Sequence, residues 1–280
     1  MPLSRREFLI DSLASGFLFP GGKDQRKQAG FPFRHGIASG DPLTDAIILW
    51  TRISPDGDRD LVPYRWVVAT DRSLQSIVAS GEGLASSERD FTVKHDVRGL
   101  LPGKTYFYAF YARGHWSDTG RFRTLPEGNV DHLRLAFTSC SNYAAGYFNV
   151  YRELSHRHDL DVVLHLGDYI YEGPAGPSRV RTIDEPVSVS LEDYRIRHGY
   201  YKQDPDLQRA HAACPWLVTW DDHEVDNDYM ANQSASRMPE AWFLARRAAA
   251  YKAYYEHMPL PRWMMPFGPH MRLSKEFWFG

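Results

Sequence analysis

The pattern of apolar and polar positions divides the chain into two parts near residue 125. From residue 31 to about residue 124, short apolar runs alternate with turn residues, and the runs are too short for helices. A tyrosine follows the Pro102-Gly103 turn at the head of one run, as is typical of β-sandwiches. This pattern predicts a fibronectin-III-like or immunoglobulin-like sandwich over residues 31–125, with strands at 46–51, 64–69, 90–97, 106–112 and 119–124.

The second part, residues 130–280, has a different pattern. The runs at 133–138 and 162–166 are apolar enough for buried strands, and the stretch between them, 146–158, has helical spacing. A strand, a helix and a strand in that order predict a parallel βαβ unit and therefore an α/β domain. The remaining predicted elements are helices at 191–202, 206–213 and 239–257 and a strand at 216–220.

The chain length and the net charge say little about binding partners. A chain of 280 residues is long enough for two domains. Its formal net charge of -2 provides no long-range field that would attract nucleic acid. The sequence therefore predicts no nucleic-acid surface.

The first thirty residues resemble a twin-arginine export signal. Arg5 and Arg6 directly precede a short, moderately apolar stretch that ends at Phe19. The stretch contains Asp11 and is too short to serve as a stable membrane anchor. We expect recognition by the twin-arginine translocation machinery and a periplasmic or extracellular location; the alternative is a basic start to an ordinary soluble helix.

Polar clusters follow each of the three predicted strands of the second part. They occupy residues 138–142, 167–172 and 221–228. Ligands of open α/β sheets bind beyond the carboxyl ends of the strands, and neighbouring strands lie about 4.8 Å apart. We therefore expect the three clusters to converge on one site.

The residue types in these clusters suit metal ions. Cys140, Asp168 and Tyr171 offer a thiolate, a carboxylate and a phenolate, a set that favours a trivalent or Lewis-acidic metal over magnesium. The carboxylate-rich run 221–228 suits a harder second cation, and His223 could donate a proton to a leaving group. Such a site can bind phosphate oxygens and activate water.

Each residue also has a structural alternative. Cys140 could pair with Cys214 in a disulfide or be a buried thiol. Asp168 could serve a turn at a strand end, Tyr171 could be a core aromatic residue, and the acidic run could be a solvated loop. Spacing alone does not decide between these alternatives and metal binding.

Several motifs resemble those of the alkaline phosphatase D family of secreted phosphodiesterases and phosphatases, which belongs to the calcineurin-like metallophosphoesterase superfamily. Besides the twin-arginine start, the motifs are Gly-Ile-Ala-Ser-Gly-Asp-Pro at 36–42, Ile-Leu-Trp-Thr-Arg at 48–52, Ser-Cys-Ser at 139–141, Gly-Asp-Tyr-Ile-Tyr-Glu at 167–172 and Trp-Asp-Asp-His-Glu-Val-Asp-Asn at 220–227. The resemblance implies a β-sandwich followed by a metallophosphoesterase core. It also implies hydrolysis of phosphate mono- and diesters.

The resemblance further implies Fe(3+) and Ca(2+) as cofactors. Cys140, Asp168 and Tyr171 would hold the iron, and Asp168 would bridge to calcium. Asp222 would take the place of the superfamily's bridging asparagine and His223 that of the neighbouring histidine, so these two are the expected catalytic residues. Cys140 and Asn142 would stand where the superfamily has its first Asp and His.

One departure from the family concerns the later Gly-Asp-x-His blocks, which do not follow the long helix. The sequence is therefore interpreted as C-terminally truncated, with an incomplete core. The alternative to an enzyme is an inert fragment whose sandwich acts at most as an extracellular binding module.

Overall fold

A computed structural model describes residues 30–55, 57, 60–176 and 179–280; the predicted export signal lies outside these residues except for Gly30. The strands are β1 (Ile37–Gly40), β2 (Ala46–Arg52), β3 (Leu61–Ala69), β4 (Ile77–Ser86), β5 (Thr92–Arg98), β6 (Thr105–Ala112), β7 (His115–Trp116), β8 (Gly120–Arg123), β9 (Leu135–Thr138), β10 (Val162–His165) and β11 (Trp216–Val218). The helices are α1 (Asn149–His156), α2 (Leu191–Lys202), α3 (Pro205–Ala213) and α4 (Glu240–His257).

The first eight strands form parts of two sheets. Strands β4, β3, β6 and β7 pair in that order, with β8 also on β6, whereas β5, β2 and β1 pair in the other sheet. Buried residues of both sheets share one apolar cluster that includes Leu49, Val62 and Phe110. Leu101 donates its backbone N–H to the Tyr106 hydroxyl at 2.9 Å, which anchors the turn before β6 as the sequence suggested.

No strand was predicted at β4, which contains two glycines, a residue type typical of turns. Gly81 pairs with Trp66 and Gly83 with Tyr64 across the β3–β4 ladder. A Cβ atom at Gly81 would lie 2.8 Å from the Trp66 ring, and one at Gly83 would lie 2.6 Å from the Tyr64 hydroxyl. The glycines therefore make room for aromatic rings that lie across the strand, which is a known use of glycine within sheets.

Strand β1, which was also missed, joins the two parts of the chain. Gly40 pairs in parallel with Trp216 of β11, so one sheet has the order β5-β2-β1-β11-β10-β9. A Cβ atom at Gly40 would lie 2.7 Å from the Pro259 carbonyl oxygen and 2.8 Å from the Trp216 carbonyl oxygen. Only glycine allows this close approach, and the two predicted domains consequently share a sheet.

The second part contains the predicted parallel βαβ unit. Strand β10 lies between β9 and β11, with Val163 opposite both Ala136 and Trp216. Helix α2 begins after Ser190, which forms a capping box with Asp193, and α3 begins at Pro205 after the N-cap Asp204. The carboxyl ends of β9, β10 and β11 therefore meet at one edge of the sheet. None of the helices in the described ranges is both long and apolar enough to cross a bilayer.

A group of buried basic side chains lies where α2 and α4 contact the first part of the chain. His198 is fully buried and stacks on His257 at a ring distance of 5.1 Å. Within the described residues, neither ring nitrogen of His198 has a hydrogen-bond partner. Burial, with smaller contributions from His257 and Lys202, lowers the pKa of His198 well below 6.5. His198 is consequently neutral in the folded protein.

Replacing His198 with phenylalanine should reduce the acid sensitivity of the fold. Below pH 6.5 the unfolded chain binds a proton at His198 that the folded chain does not, so stability falls as the pH falls, by up to about 1.4 kcal/mol per pH unit for this group. The His198→Phe variant should lose less unfolding free energy between pH 7 and pH 5 in urea titrations. The exposed His132→Phe variant is the control. An unchanged pH slope in His198→Phe would contradict the prediction.

Candidate metal centre

Three potential ligand residues meet at the carboxyl edge of the parallel strands. Asp168 follows β10, and Asp222 and His223 follow β11. Each offers one ligand atom, and these atoms all lie within 4.8 Å of one another. The predicted convergence of the second and third polar clusters is therefore present in the fold.

Asp168 has an unsatisfied carboxylate oxygen. The residue is only 7% exposed, and its Oδ2 accepts a hydrogen bond from the Tyr171 hydroxyl at 3.1 Å. Its Oδ1 is buried and has no hydrogen-bond partner among the described residues. A buried polar atom without a partner costs about 1–3 kcal/mol, and a cation among Asp168, Asp222 and His223 would satisfy it. The donor set and the unsatisfied oxygen thus fit a metal ion.

The loop after β9 places Cys140 beside these ligand residues. Its backbone N–H donates to the Gly167 carbonyl at 3.1 Å, and Ser141 donates its N–H to the Asp168 carbonyl at 2.8 Å. The Tyr171 hydroxyl contacts both the Cys140 thiol and the Asp168 carboxylate. Burial and these two acidic neighbours raise the pKa of Tyr171 above its ordinary value, so Tyr171 is a neutral phenol unless a cation is bound.

The alternative of a Cys140–Cys214 disulfide is wrong. Both thiols are free; Cys140 is exposed and Cys214 is buried. Cys214 is the C-cap residue after α3, and its thiol donates weakly to the Leu160 carbonyl oxygen at 3.7 Å. Burial raises the pKa of Cys214 to about 12, which makes it an inert core thiol.

Glu172 fixes the orientation of His223, a role that the sequence did not reveal. His223 Nδ1 lies 2.7 Å from Glu172 Oε2, and Glu172 Oε1 accepts the Asn227 N–H at 2.9 Å. The Tyr171 ring lies 4.0 Å from the His223 ring. Burial lowers the pKa of His223, but Glu172, together with the charges of Asp168 and Asp222, raises it by more, and the pKa lies above 6.5. His223 therefore carries a proton more readily than a free imidazole.

Not every carboxylate of the acidic run 221–228 is available to a cation. Glu224 is buried and accepts backbone N–H groups, and Asp226 pairs with Arg246 at 2.6 Å. Asp222 accepts the N–H groups of His223 and Asp228. Glu224 and Asp226 therefore do not contribute to the second cation site that the run was predicted to form, because protein donors already satisfy them.

A cavity of about 250 Å³ adjoins the metal-site residues. Its lining includes the predicted residues Tyr171, His223 and Asn142, together with Asn227. The Asn142 side-chain oxygen accepts the N–H groups of Ala144 and Ala145 at 3.1 and 3.2 Å, which holds its loop in place. The cavity offers space for a small polar ligand beside Tyr171 and His223.

The fold and the site define an α/β protein with a candidate metal centre at the carboxyl edge of its parallel strands. Family models described as "PhoD-like phosphatase, N-terminal domain" and "PhoD-like phosphatase" match residues 20–126 and 135–280. The chain belongs to the PhoD-like phosphatase family.

Similarity to individual proteins supports this family membership. The chain is 43% identical to alkaline phosphatase D of Bacillus subtilis (strain 168), over 90% of this chain and 45% of that protein. A solved structure titled "Structure of PhoD" superposes with a TM-score of 0.85 at 42% identity, covering 91% of this chain and 51% of that one. The chain thus spans about half the length of these relatives.

Replacing Glu172 with glutamine should lower the pKa of His223 in metal-free protein. The isosteric amide removes the negative charge beside Nδ1, and an opposite charge at this distance raises a pKa by about 1 pH unit or more. The pKa is measured by NMR titration of the His223 ring, with Glu192→Gln on the exposed face of α2 as the control. The prediction is contradicted if His223 titrates identically in Glu172→Gln and the parent protein.

Proposed function

We propose that this protein hydrolyses phosphate mono- and diesters with the help of bound metal ions. The observation that carries the proposal is the buried, unsatisfied Oδ1 of Asp168, which lies within a group of three potential ligands beside an open cavity. Family membership supports the reaction class over the alternative of an inert extracellular binding module.

The proposed ligands are Cys140, Asp168, Tyr171 and Asp222, and the proposed metals are Fe(3+) and Ca(2+). The thiol and phenol suit iron, whereas the carboxylates suit calcium. When bound, such cations would polarise a phosphate oxygen and lower the pKa of a water molecule. The contacts of Tyr171 with both Cys140 and Asp168 support this ligand set.

The proposed roles of the chain's own residues follow from their contacts. Glu172 holds His223 through Nδ1, which leaves Nε2 to meet a ligand. Because Glu172 holds Nδ1, His223 can present Nε2–H to the leaving oxygen of the ester and donate a proton to it. Asn142 and Asn227 line the cavity, where their amide groups can donate to phosphate oxygens.

We further propose that the protein is exported by the twin-arginine machinery and acts in the periplasm or outside the cell. The twin arginine at Arg5 and Arg6 carries this proposal. We also propose that the chain divides into a sandwich at 31–125 and a phosphoesterase core at 130–280. The matches of the two family models support this division.

Replacing Asp168 with alanine should abolish hydrolysis of a chromogenic phosphate ester and remove bound metal. Asp168 is the residue that contributes both the unsatisfied oxygen and the contact to Tyr171, so its loss should lower activity by at least about 1000-fold. The assay uses the protein at its full natural length with added Ca(2+), and elemental analysis measures bound iron and calcium. The exposed Asp131→Ala variant is the control.

Two results would contradict the proposed function. One is a parent protein that neither hydrolyses the ester nor retains metal. The other is an Asp168→Ala variant that matches the parent protein in both measurements.

A further inference from the structure

Glu224 lies beneath the candidate metal site without being one of its ligands. Its side chain is 1% exposed. Oε2 accepts the backbone N–H groups of Asp168 at 3.0 Å and of Asp221 at 2.7 Å, and Oε1 accepts the N–H of Tyr169. Because Asp168 and Tyr169 follow β10 whereas Asp221 follows β11, a single carboxylate joins the tips of two strands.

The position of Glu224 is itself fixed by a reciprocal hydrogen bond. The Asp221 side chain accepts the Glu224 N–H, so the two residues form a capping box around a 3-10 turn. Asp222 begins that turn and Glu224 ends it. A shift of Glu224 relative to the β10 tip would therefore shift Asp222 relative to Asp168.

The backbone at Asp168 needs such support. Its φ of 53° lies in the left-handed region, which costs a non-glycine residue about 1–2 kcal/mol. Its N–H is held by Glu224 and its carbonyl oxygen by the Ser141 N–H. Without Glu224, Asp168 loses one of the two backbone bonds that link it to other strand tips.

We propose that Glu224 is a positioning residue that sets the spacing between Asp168 and Asp222 and thereby tunes metal affinity. This inference rests on the proposed metal site. A carboxylate is required because two oxygens must accept three N–H groups. A glutamine of the same shape has one oxygen, and its NH₂ group would face at least one backbone N–H that then lacks an acceptor.

The test is an Mn(2+) titration of the full-length protein, followed through the EPR signal of free Mn(2+). The Glu224→Gln variant should bind Mn(2+) about 10–100-fold more weakly than the parent protein, the range typical of residues that orient metal ligands. Hydrogen exchange at the Asp168 and Tyr169 amides of the metal-free protein should be faster in the variant. If Glu224→Gln does not fold, Glu224→Asp, which keeps the charge but shortens the side chain by one CH₂ group, is tested in the same way.

Two controls separate positioning from a loss of charge or of stability. Glu240→Gln makes the same charge change on an exposed residue at the start of α4. Thr124→Val removes the hydrogen bond from Thr124 to the Leu101 carbonyl at 2.7 Å in the first part of the chain, and so destabilises the protein away from the site. Both controls should bind Mn(2+) as the parent protein does.

The outcomes are distinct. Parent-like affinity and amide exchange in Glu224→Gln would overturn the positioning role while leaving the metal site intact. If Thr124→Val weakens Mn(2+) binding as much as Glu224→Gln does, the positioning role would also be overturned, because general destabilisation would then explain the lower affinity. A parent protein that binds no Mn(2+) would overturn both the proposed metal site and this inference.

Discussion

The close contact between the tips of β10 and β11 is the constraint on which the candidate site depends. Gly167 has a φ of 107°, and a Cβ atom there would lie 2.5 Å from the Asp221 nitrogen. Any other residue would force the tips apart. Because the tips meet, one buried carboxylate can accept N–H groups from both, and Asp168 comes within ligand distance of Asp222 and His223. The Cys140 loop then joins through its bond to the Gly167 carbonyl.

The acidic groups around the site differ in how they are satisfied. Glu172 has a histidine and a backbone N–H, Glu224 has backbone N–H groups, and Asp226 has Arg246. Asp168 alone among these four retains a buried oxygen without a partner in the described part of the chain. Buried polar groups are normally paired, and Asp168 Oδ1 is the one carboxylate oxygen among the unpartnered buried atoms of the described residues, so it favours this place for a cation. The number of carboxylates in the run 221–228 is a weaker indicator of a cation site than the unsatisfied Oδ1 of Asp168.

The sequence predicted the parallel strands, the four helices and the meeting of Asp168 with Asp222 and His223, because buried strands and strand-end ligands leave clear patterns. It did not predict β1 and β4, whose glycines normally indicate turns. Gly40 is present because Trp216 and Pro259 approach it, and Gly81 because Trp66 crosses it. Both reasons are tertiary contacts with residues outside the strand itself, which the local sequence pattern does not show. The contact of Glu172 with His223 and that of Glu224 with Asp168 were missed for the same reason, since they join residues 51 and 56 positions apart along the chain.

The shared sheet bears on whether the first part of the chain could be an independent binding module. Strand β1 pairs on one edge with β2 and on the other with β11, the strand whose tip leads to Asp222. The Trp50 indole donates to the Glu256 carbonyl oxygen at 2.8 Å, and His257 contacts Asp90 at 3.0 Å, so α4 is also bound to β2 and to the turn that precedes β5. A segment that supplies a neighbouring strand and buried hydrogen bonds to the site-bearing half supports that half structurally. We infer that the first part of the chain stabilises the candidate metal centre, in addition to any function of its own.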